Sequence, residues 1–325
     1  MINRRNLLMS AAAGAAGAAS ATTIAVQPGF AMQNGTMAQA PAFQRTKVGD
    51  IIVTAVADGH FTFGAEAGLF PGITADDFTN AMRDAFLPTD AYKAPVNAYV
   101  VQSGGNTILI DAGAAPGMAP TVGKLAGTLE AAGVSPSDVT HVFITHMHPD
   151  HTGMLLTDGA PTFDTAELVI HAAEIGFWAD EGTKALLPEA RHGMVTAAQA
   201  VEAAYIDAMV RIQKDGEVAP GVSAVSLPGH TPGHTGFRIA SGDEQLLIWG
   251  DIIHSAPLQL PNPRRTIVFD SDPQKAAETR LKLFDEVVTD RIMVAGMHMP
   301  FPGFGYLDTS GEGYEFVRAD WTYSL

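Results

Sequence analysis

The most informative segment of this chain is Thr145-His146-Met147-His148-Pro149-Asp150-His151-Thr152-Gly153. It directly follows the apolar, strand-like run Val142-Phe143-Ile144. Side chains two positions apart in an extended segment point the same way, so His146 and His148 can bind one cation together. The proline after them turns the chain, and Asp150 and His151 can then face a second cation. Because unpaired ionisable groups are costly at the edge of a core, the segment predicts a metal site.

Three further segments place a histidine or an aspartate where an apolar strand is predicted to end. They are Pro228-Gly229-His230-Thr231-Pro232-Gly233-His234-Thr235, Trp249-Gly250-Asp251 and Ala295-Gly296-Met297-His298. A carboxylate such as Asp251 has two oxygens and can bridge two cations. Loops at the ends of strands in a rigid scaffold are where catalytic groups are commonly found. The pattern therefore predicts that all four segments meet at one site.

This combination of motifs resembles the metallo-β-lactamase superfamily over most of the chain, from about Val48 to Phe316. The resemblance implies two divalent cations, with zinc as the default because histidine and aspartate suit it. The ligands it implies are His146, His148 and His230 for the first cation, Asp150, His151 and His298 for the second, and Asp251 as the bridge. The first histidine is the ligand in the family's Gly-His-Thr-Pro-Gly-His pattern, so His234 is predicted to support the ligands or the fold.

The rest of the chain alternates short apolar strands with helical patterns, which favours two sheets packed face to face with helices outside. We therefore predict the fold class α/β (α+β), as a four-layer αββα metallo-β-lactamase sandwich over residues 45–320. A long helix is expected from about Glu189 to Lys214, and another from the cap Asp272-Pro273 to about Val288.

Composition excludes several kinds of chemistry. The 325 residues, 46% of them hydrophobic, can bury one large core or two small ones. With 19 basic and 35 acidic residues the net charge is -16, which argues against binding nucleic acid. The absence of cysteine excludes disulfides, thiolate ligands and cysteine nucleophiles. No Gly-x-Ser-x-Gly motif occurs, which disfavours a covalent serine mechanism.

Residues 1–31 are typical of an export signal and leader. Arg4 and Arg5 precede an Ala/Gly-rich apolar stretch, as in a twin-arginine signal, and small residues suitable for cleavage follow. A membrane-spanning helix needs roughly 20 strongly apolar residues, and glycines and threonines dilute this stretch. The protein is therefore expected in the periplasm or secreted, without a stable membrane anchor.

Within the superfamily, the chain is most similar to the methyl parathion hydrolase-like branch, which neighbours the acyl-homoserine lactonases. The stretches that carry this similarity are Trp249 to His254, Asp270 to Pro273 and His298 to Gly305. The resemblance implies a binuclear hydrolase in which a metal-bridging hydroxide, oriented by Asp251, attacks lactones, aryl esters or phosphotriesters. The expected partner is such a small ester, lactone or organophosphate substrate, and a homodimer is possible.

Two other functions stay open at this stage. Glyoxalase II-like thioesterases have similar ligands, but the basic patch that would bind glutathione is not found near the C-terminus. A non-catalytic metal-binding protein is the other alternative, although all seven ligands are intact. RNA-processing members of the superfamily conflict with the acidic charge and the export signal.

Several residues near the ligands are predicted to act on the substrate. The lactonases commonly carry a tyrosine three places after the bridging aspartate, whereas this chain has His254. With a pKa near 6.5, the imidazole of His254 would act as a general acid toward the substrate. The alternative is that it hydrogen-bonds one of the metal ligands. Phe177, Trp178 and Phe301 are predicted to form aromatic pocket walls, with Trp178 expected to be exposed.

Overall fold

Two seven-stranded β-sheets form the centre of the computed structural model, which describes residues 39–65 and 68–325. The predicted export segment, residues 1–31, lies outside these described residues. Residues Pro41–Leu325 form one compact unit. Within the described ranges, no helix has both the length and the apolar character needed to span a bilayer.

The strands of the first half of the chain are β1 (Phe43–Val48), β2 (Ile51–Gly64), β3 (Ala91–Ser103), β4 (Asn106–Ile110), β5 (His141–Phe143), β6 (Leu156–Thr157), β7 (Ala160–Pro161), β8 (Glu167–His171) and β9 (Met209–Ile212). Those of the second half are β10 (Gly216–Ala219), β11 (Val222–Ser226), β12 (Thr235–Ser241), β13 (Glu244–Ile248), β14 (Met293–Ala295), β15 (Gly305–Ser310) and β16 (Gly313–Arg318). The α-helices are α1 (Ala75–Asp84), α2 (Leu125–Ala131), α3 (Pro149–Thr152), α4 (Ala172–Trp178), α5 (His192–Ala204), α6 (Ala256–Gln259) and α7 (Pro273–Thr289).

The two sheets have similar mixed topologies. The first has the order β1-β2-β3-β4-β5-β8-β9, antiparallel up to β4 and parallel from there on. The second has the order β10 to β16, and only the β13–β14 pair in it is parallel. β6 and β7 form a separate small hairpin. Because β13 and β14 are parallel, Asp251 and His298 follow strands that end at the same edge.

Alternating burial along the central strands shows how the layers pack. Ile108 and Ile110 belong to the apolar cluster between the sheets, while Leu109 belongs to the cluster between the first sheet and its helices. In β13, Ile248 likewise faces the other sheet, whereas Leu247 packs on the side of α7. Successive side chains of a strand point to opposite faces, so each sheet is buried on both sides. The predicted four-layer αββα sandwich is confirmed.

Helix α7 begins where its sequence predicts. The side chain of Asp272 accepts a hydrogen bond from the backbone N–H of Lys275 at 3.0 Å, and Pro273 occupies the first turn. Phe284 and Val287 on its inner face are fully buried against the second sheet. Capping and the buried apolar stripe together stabilise this outer helix.

The predicted long helix from Glu189 to Lys214 is wrong. A 3-10 turn (Glu189–Arg191) leads into α5, which ends at Ala204, and Met209–Ile212 is instead the edge strand β9. Strand β9 pairs in parallel with β8, from Leu168 opposite Met209 onward. The hydrogen bonds offered by the edge of β8 outweigh the weak helical preference of a segment that contains Val210 and Ile212.

Candidate metal centre and active site

The segment after β5 is held in place by a buried aspartate. Asp111 accepts hydrogen bonds from the backbone N–H and the hydroxyl of Thr145, both at 2.8 Å. His148 then precedes α3 in an extended conformation, and Pro149 starts that single turn of helix. The turn reverses the chain, so that the side chain of His151 comes back toward that of His146, with ring centroids 4.0 Å apart.

The structure brings all seven sequence-predicted ligands together. Two groups of side chains have ligand atoms within 4.8 Å of one another. They are His146, His148, His230 and Asp251 in the first group and Asp150, His151 and His298 in the second. A third, overlapping group joins Asp251 and His298 to His254.

The donor geometry fits a cation in the first group. The Nδ1 atom of His148 lies 2.9 Å from Nε2 of His146 and 3.0 Å from Nε2 of His230. Nitrogen ligands about 2.0–2.1 Å from a tetrahedral cation lie roughly 3.3 Å apart, close to this spacing. The outer Nδ1 of His230 faces the carboxylate of Asp270 at 2.9 Å, which places the ring proton outside and a lone pair inside. Lone pairs that converge in this way suit a cation between them.

The second group is arranged in the same manner. The outer nitrogen of His151 faces Asp111 at 2.7 Å, and that of His298 donates to the carbonyl of Pro95 at 2.6 Å. Their inner Nε2 atoms therefore point at the carboxylates of the site. Among the described residues, Nε2 of His151 and Oδ1 of Asp251 are buried without any hydrogen-bond partner. Such atoms are expected at a site built to coordinate a metal.

Asp251 stands where the two groups meet. Its Oδ2 atom lies 3.6 Å from Nε2 of His146 and 3.1 Å from Nε2 of His298, so one carboxylate oxygen reaches both groups. Burial opposes ionisation of Asp251, but the surrounding histidines outweigh it and hold the pKa of this carboxyl well below its usual range. A carboxylate in this position is ionised at neutral pH and can be shared by two cations.

His234 has no nitrogen available for a metal. Its Nδ1 donates to the carbonyl of Leu227 at 2.9 Å, and its Nε2 accepts from the backbone N–H of Asp251 at 2.9 Å. Gly250, whose φ is 61°, leaves room for this ring, because a side chain there would collide with it. Of the two histidines in the loop, His230 is thus the one directed at the other ligands, and His234 positions Asp251.

Three supporting carboxylates were missed by sequence reasoning. Asp111 and Asp270 orient the rings of His151 and His230, as described above. Glu174 is buried and accepts backbone hydrogen bonds from Met147 at 2.8 Å and from Gly233 at 2.9 Å. Asp111 carries a local signal, since it follows a strand as Asp251 does, and Asp270 lies in one of the stretches that carry the family resemblance.

A cavity of about 220 Å³ opens onto the metal ligands. Its walls include Phe61, Phe63, Tyr92, Ile267 and Phe269, and Asp150, Asp251 and His298 lie at its base. Apolar walls around a few convergent polar groups are typical of a small-molecule site. The arrangement suits a neutral substrate with an apolar group.

The expected aromatic residues do not line the cavity above the metal ligands. Trp178 is only 2% exposed and packs edge-on against His148, with ring centroids 5.4 Å apart, so its predicted exposure is wrong. Phe177 and Trp178 line a neighbouring cavity, described below. Phe301 is partly buried against the cluster between the sheets and is not among the residues that line these two cavities, so its role as a pocket wall stays a prediction. The walls of the cavity above the ligands come instead from the end of β2, the start of β3 and the loop before α7, which have no recognisable motif. Leu69, Phe70, Phe78 and Met82 share an apolar cluster with Tyr92 of these walls.

His254 lies inside the site. Its Nε2 is 3.1 Å from Oδ2 of Asp251, and its ring stacks on that of His298. Its backbone N–H donates to Gln259 at 2.7 Å, and the hydroxyl of Tyr92 donates to its carbonyl. Burial lowers the pKa of His254 to about 4, so the imidazole is neutral at pH 7. The expected pKa near 6.5 is wrong, because the ring is removed from water.

Comparison with known proteins agrees with this geometry. The family model of the metallo-beta-lactamase superfamily matches residues 91–295. An N-acyl homoserine lactonase from Bacillus sp. is 24% identical over 182 residues, which cover 49% of this chain and 64% of that enzyme. N-acyl homoserine lactonase AiiB from Agrobacterium fabrum is 24% identical over 197 residues, which cover 53% of this chain and 67% of that enzyme. The chain thus spans less than two thirds of the Bacillus relative.

Two solved structures are similar over nearly their whole length. AidC, a dizinc quorum-quenching lactonase, superimposes with a TM-score of 0.81 at 24% identity, covering 87% of this chain and 99% of AidC. The hydrolase AbOPH superimposes with a TM-score of 0.80 at 28% identity, covering 88% of this chain and 100% of AbOPH. The AidC likeness shows the fold alone, whereas the family match extends over well over half of the sequence. This chain belongs to the metallo-beta-lactamase superfamily.

Proposed function

We propose that this chain is a binuclear metal-dependent hydrolase that opens lactones, with aryl esters and phosphotriesters as further substrates. One observation carries the proposal. Two groups of candidate ligand atoms meet at Asp251, whose Oδ2 lies 3.6 Å from Nε2 of His146 and 3.1 Å from Nε2 of His298, and members of both groups line an apolar cavity. The chemistry that two divalent cations supply at such a site is Lewis acidity toward a carbonyl or phosphoryl oxygen and activation of water near neutral pH.

The protein's own residues perform the remaining tasks. Asp251 is ionised, so it can accept a hydrogen bond from the attacking water, orient it and take its proton as the new bond forms. His254, neutral at pH 7, holds that carboxylate through its ring N–H rather than acting as a protonated general acid. The aromatic walls exclude bulk water from the reacting ester.

Lactones come first among the proposed substrates for two reasons. Apart from Arg191 and the carboxylates among the candidate metal ligands, the cavity is lined mostly by apolar side chains, which suits a neutral ester with an apolar arm. The similar proteins AiiB and AidC are an N-acyl homoserine lactonase and a quorum-quenching lactonase. We therefore propose N-acyl homoserine lactones as the substrate class and, since AidC is a dizinc enzyme, zinc as the metal.

A hydrolysis screen tests the proposed function. We expect the zinc-loaded protein to hydrolyse N-hexanoyl homoserine lactone faster than phenyl acetate, and both faster than methyl parathion. A glutathione thioester in the same screen separates this function from a glyoxalase II-like thioesterase. Turnover of the thioester alone, or of no substrate by protein that holds two metals, contradicts the proposal.

Metal content provides an independent test. We expect close to two divalent metals per chain after expression with zinc, because the ligands form two groups joined by one carboxylate. Elemental analysis of dialysed protein measures this ratio. One metal or none per chain would show that the second group is not a binding site under those conditions.

The two cations should differ in their sensitivity to acid. Burial alone lowers the pKa of His151, but the carboxylates of Asp251 and Asp150 outweigh it and raise that pKa well above its usual value. The pKa of His298 is raised for the same reason, whereas burial lowers the pKa of His146 and His148 well below the usual value. As the pH falls, protons therefore compete first for the ligands of the second group.

We accordingly expect acidification to release the metal of the second group before that of the first. Dialysis at stepwise lower pH, followed by elemental analysis, should show a plateau near one metal per chain. In His298→Ala, the metal loss at higher pH should disappear, because the second group no longer binds its metal. The loss at lower pH, from the first group, should remain. Simultaneous loss of both metals in the wild-type protein would contradict this order.

A further inference from the structure

A second cavity adjoins the one above the metal ligands. It has a volume of about 450 Å³ and includes Trp178, Leu187 and Pro232 in its walls. The two cavities share His148, Arg191 and Phe269. A substrate with a reacting ester in the first cavity and an apolar arm in the second must therefore pass Arg191.

Arg191 is a half-buried cation with most of its donors free. Its guanidinium lies over the ring of Phe269, 5.4 Å from the centroid, and makes one long hydrogen bond of 3.4 Å to the carbonyl of Val268. Among the described residues, the ion pairs formed by lysine and arginine involve Lys184, Arg211 and Arg238, and not Arg191. A guanidinium has five N–H donors in a rigid plane, so several of them remain for a ligand.

The net charge of the protein limits the kinds of ligand that Arg191 can bind. The net charge is -16, and a field of this sign disfavours the approach of anions. A neutral acceptor such as an amide carbonyl escapes that repulsion and still receives a charge-assisted hydrogen bond. The stacked ring of Phe269 limits the rotation of the guanidinium and so favours an acceptor at one fixed distance from the scissile ester.

We propose that Arg191 is a specificity residue that binds a neutral acceptor group, of the amide carbonyl type, located between the scissile ester and the apolar arm of the substrate. This inference rests on the proposed function and adds a requirement to it. The preferred substrates are esters or lactones with a neighbouring amide, and plain alkyl lactones lack the group that Arg191 binds.

Two lactones with the same ring test this inference. N-hexanoyl homoserine lactone carries the amide, and α-hexyl-γ-butyrolactone carries an apolar arm without it. We expect Arg191→Met to raise KM for the amide-bearing lactone about tenfold, as expected for the loss of one hydrogen bond from a charged donor. The change in kcat should be much smaller. For the alkyl lactone, kcat/KM should stay within about twofold, because no such bond is lost. Arg191→Lys should restore part of the affinity.

Controls separate this role from damage to the site. Arg264→Met removes an exposed arginine that lines neither cavity and should leave both lactones unaffected. The metal content of Arg191→Met should equal that of the wild type. Equal losses on the two lactones, or faster turnover of the alkyl lactone by the wild type, overturn the role of Arg191 while leaving the hydrolase function intact. A wild-type protein that opens neither lactone overturns the proposed function, and this inference falls with it.

Discussion

Asp251→Asn should lower kcat/KM on a lactone by on the order of a thousandfold, within the range for loss of a positioned catalytic base. The substitution keeps the shape of the side chain and removes its charge. In the wild type, Oδ2 of Asp251 is the atom that lies within 3.6 Å of both His146 and His298. A neutral amide cannot be shared by two cations in the same way, so the second metal should be lost as well.

The measurement combines steady-state kinetics with elemental analysis of the same preparation. Asp164→Asn, at an exposed aspartate away from the site, is the matched control and should keep full activity and metal content. Far-UV circular dichroism should show that both variants are folded. If Asp251→Asn kept two metals and lost less than about tenfold in activity, Asp251 would be neither the bridge nor the base.

The two histidines of the loop before β12 should respond differently to truncation. His230→Ala removes a nitrogen directed at the first group of ligands and should lower activity by at least about a hundredfold, more than the loss of a residue that only supports a ligand. His234→Ala should be much milder on activity at matched metal occupancy. His234→Ala should instead lower the free energy of unfolding by roughly 2–5 kcal/mol. The reason is that the carbonyl of Leu227 and the N–H of Asp251 lose their hydrogen-bond partner.

Each variant serves as the control for the other. Kinetics at equal zinc content compare the catalytic effects, and thermal melting of the metal-free proteins compares the structural ones. His234→Ala should melt at a clearly lower temperature than His230→Ala. Equal losses of activity, with equal metal loss, would mean that the ligand has been assigned to the wrong histidine.

The convergence of the candidate ligands could be predicted from sequence because each part of the pattern is local. His146 and His148 are two positions apart in extended chain, and a proline turn brings His151 back toward them. Asp251 and His298 each follow an apolar strand, and parallel strands end at the same edge of a sheet. The αββα layering followed from the same alternation of strands and helices.

The orientation of those ligands depends on partners that are distant in sequence. Asp111 is 40 residues from His151, and Asp270 is 40 residues from His230. Nothing in the intervening sequence reveals that these carboxylates face the outer ring nitrogens. The occupation of both nitrogens of His234 was equally invisible, because one partner is a carbonyl and the other an N–H of the backbone.

Burial and edge pairing account for the remaining errors. Trp178 is covered by the fold around α4, β9 replaces the end of an expected helix, and burial moves the pKa of His254 to about 4. Short-range spacing determines which residues can bind a metal, since backbone geometry repeats within a few positions. Solvent exposure, ring orientation and pKa are set by neighbours from the whole chain, because desolvation and hydrogen bonding act through space and not along the sequence.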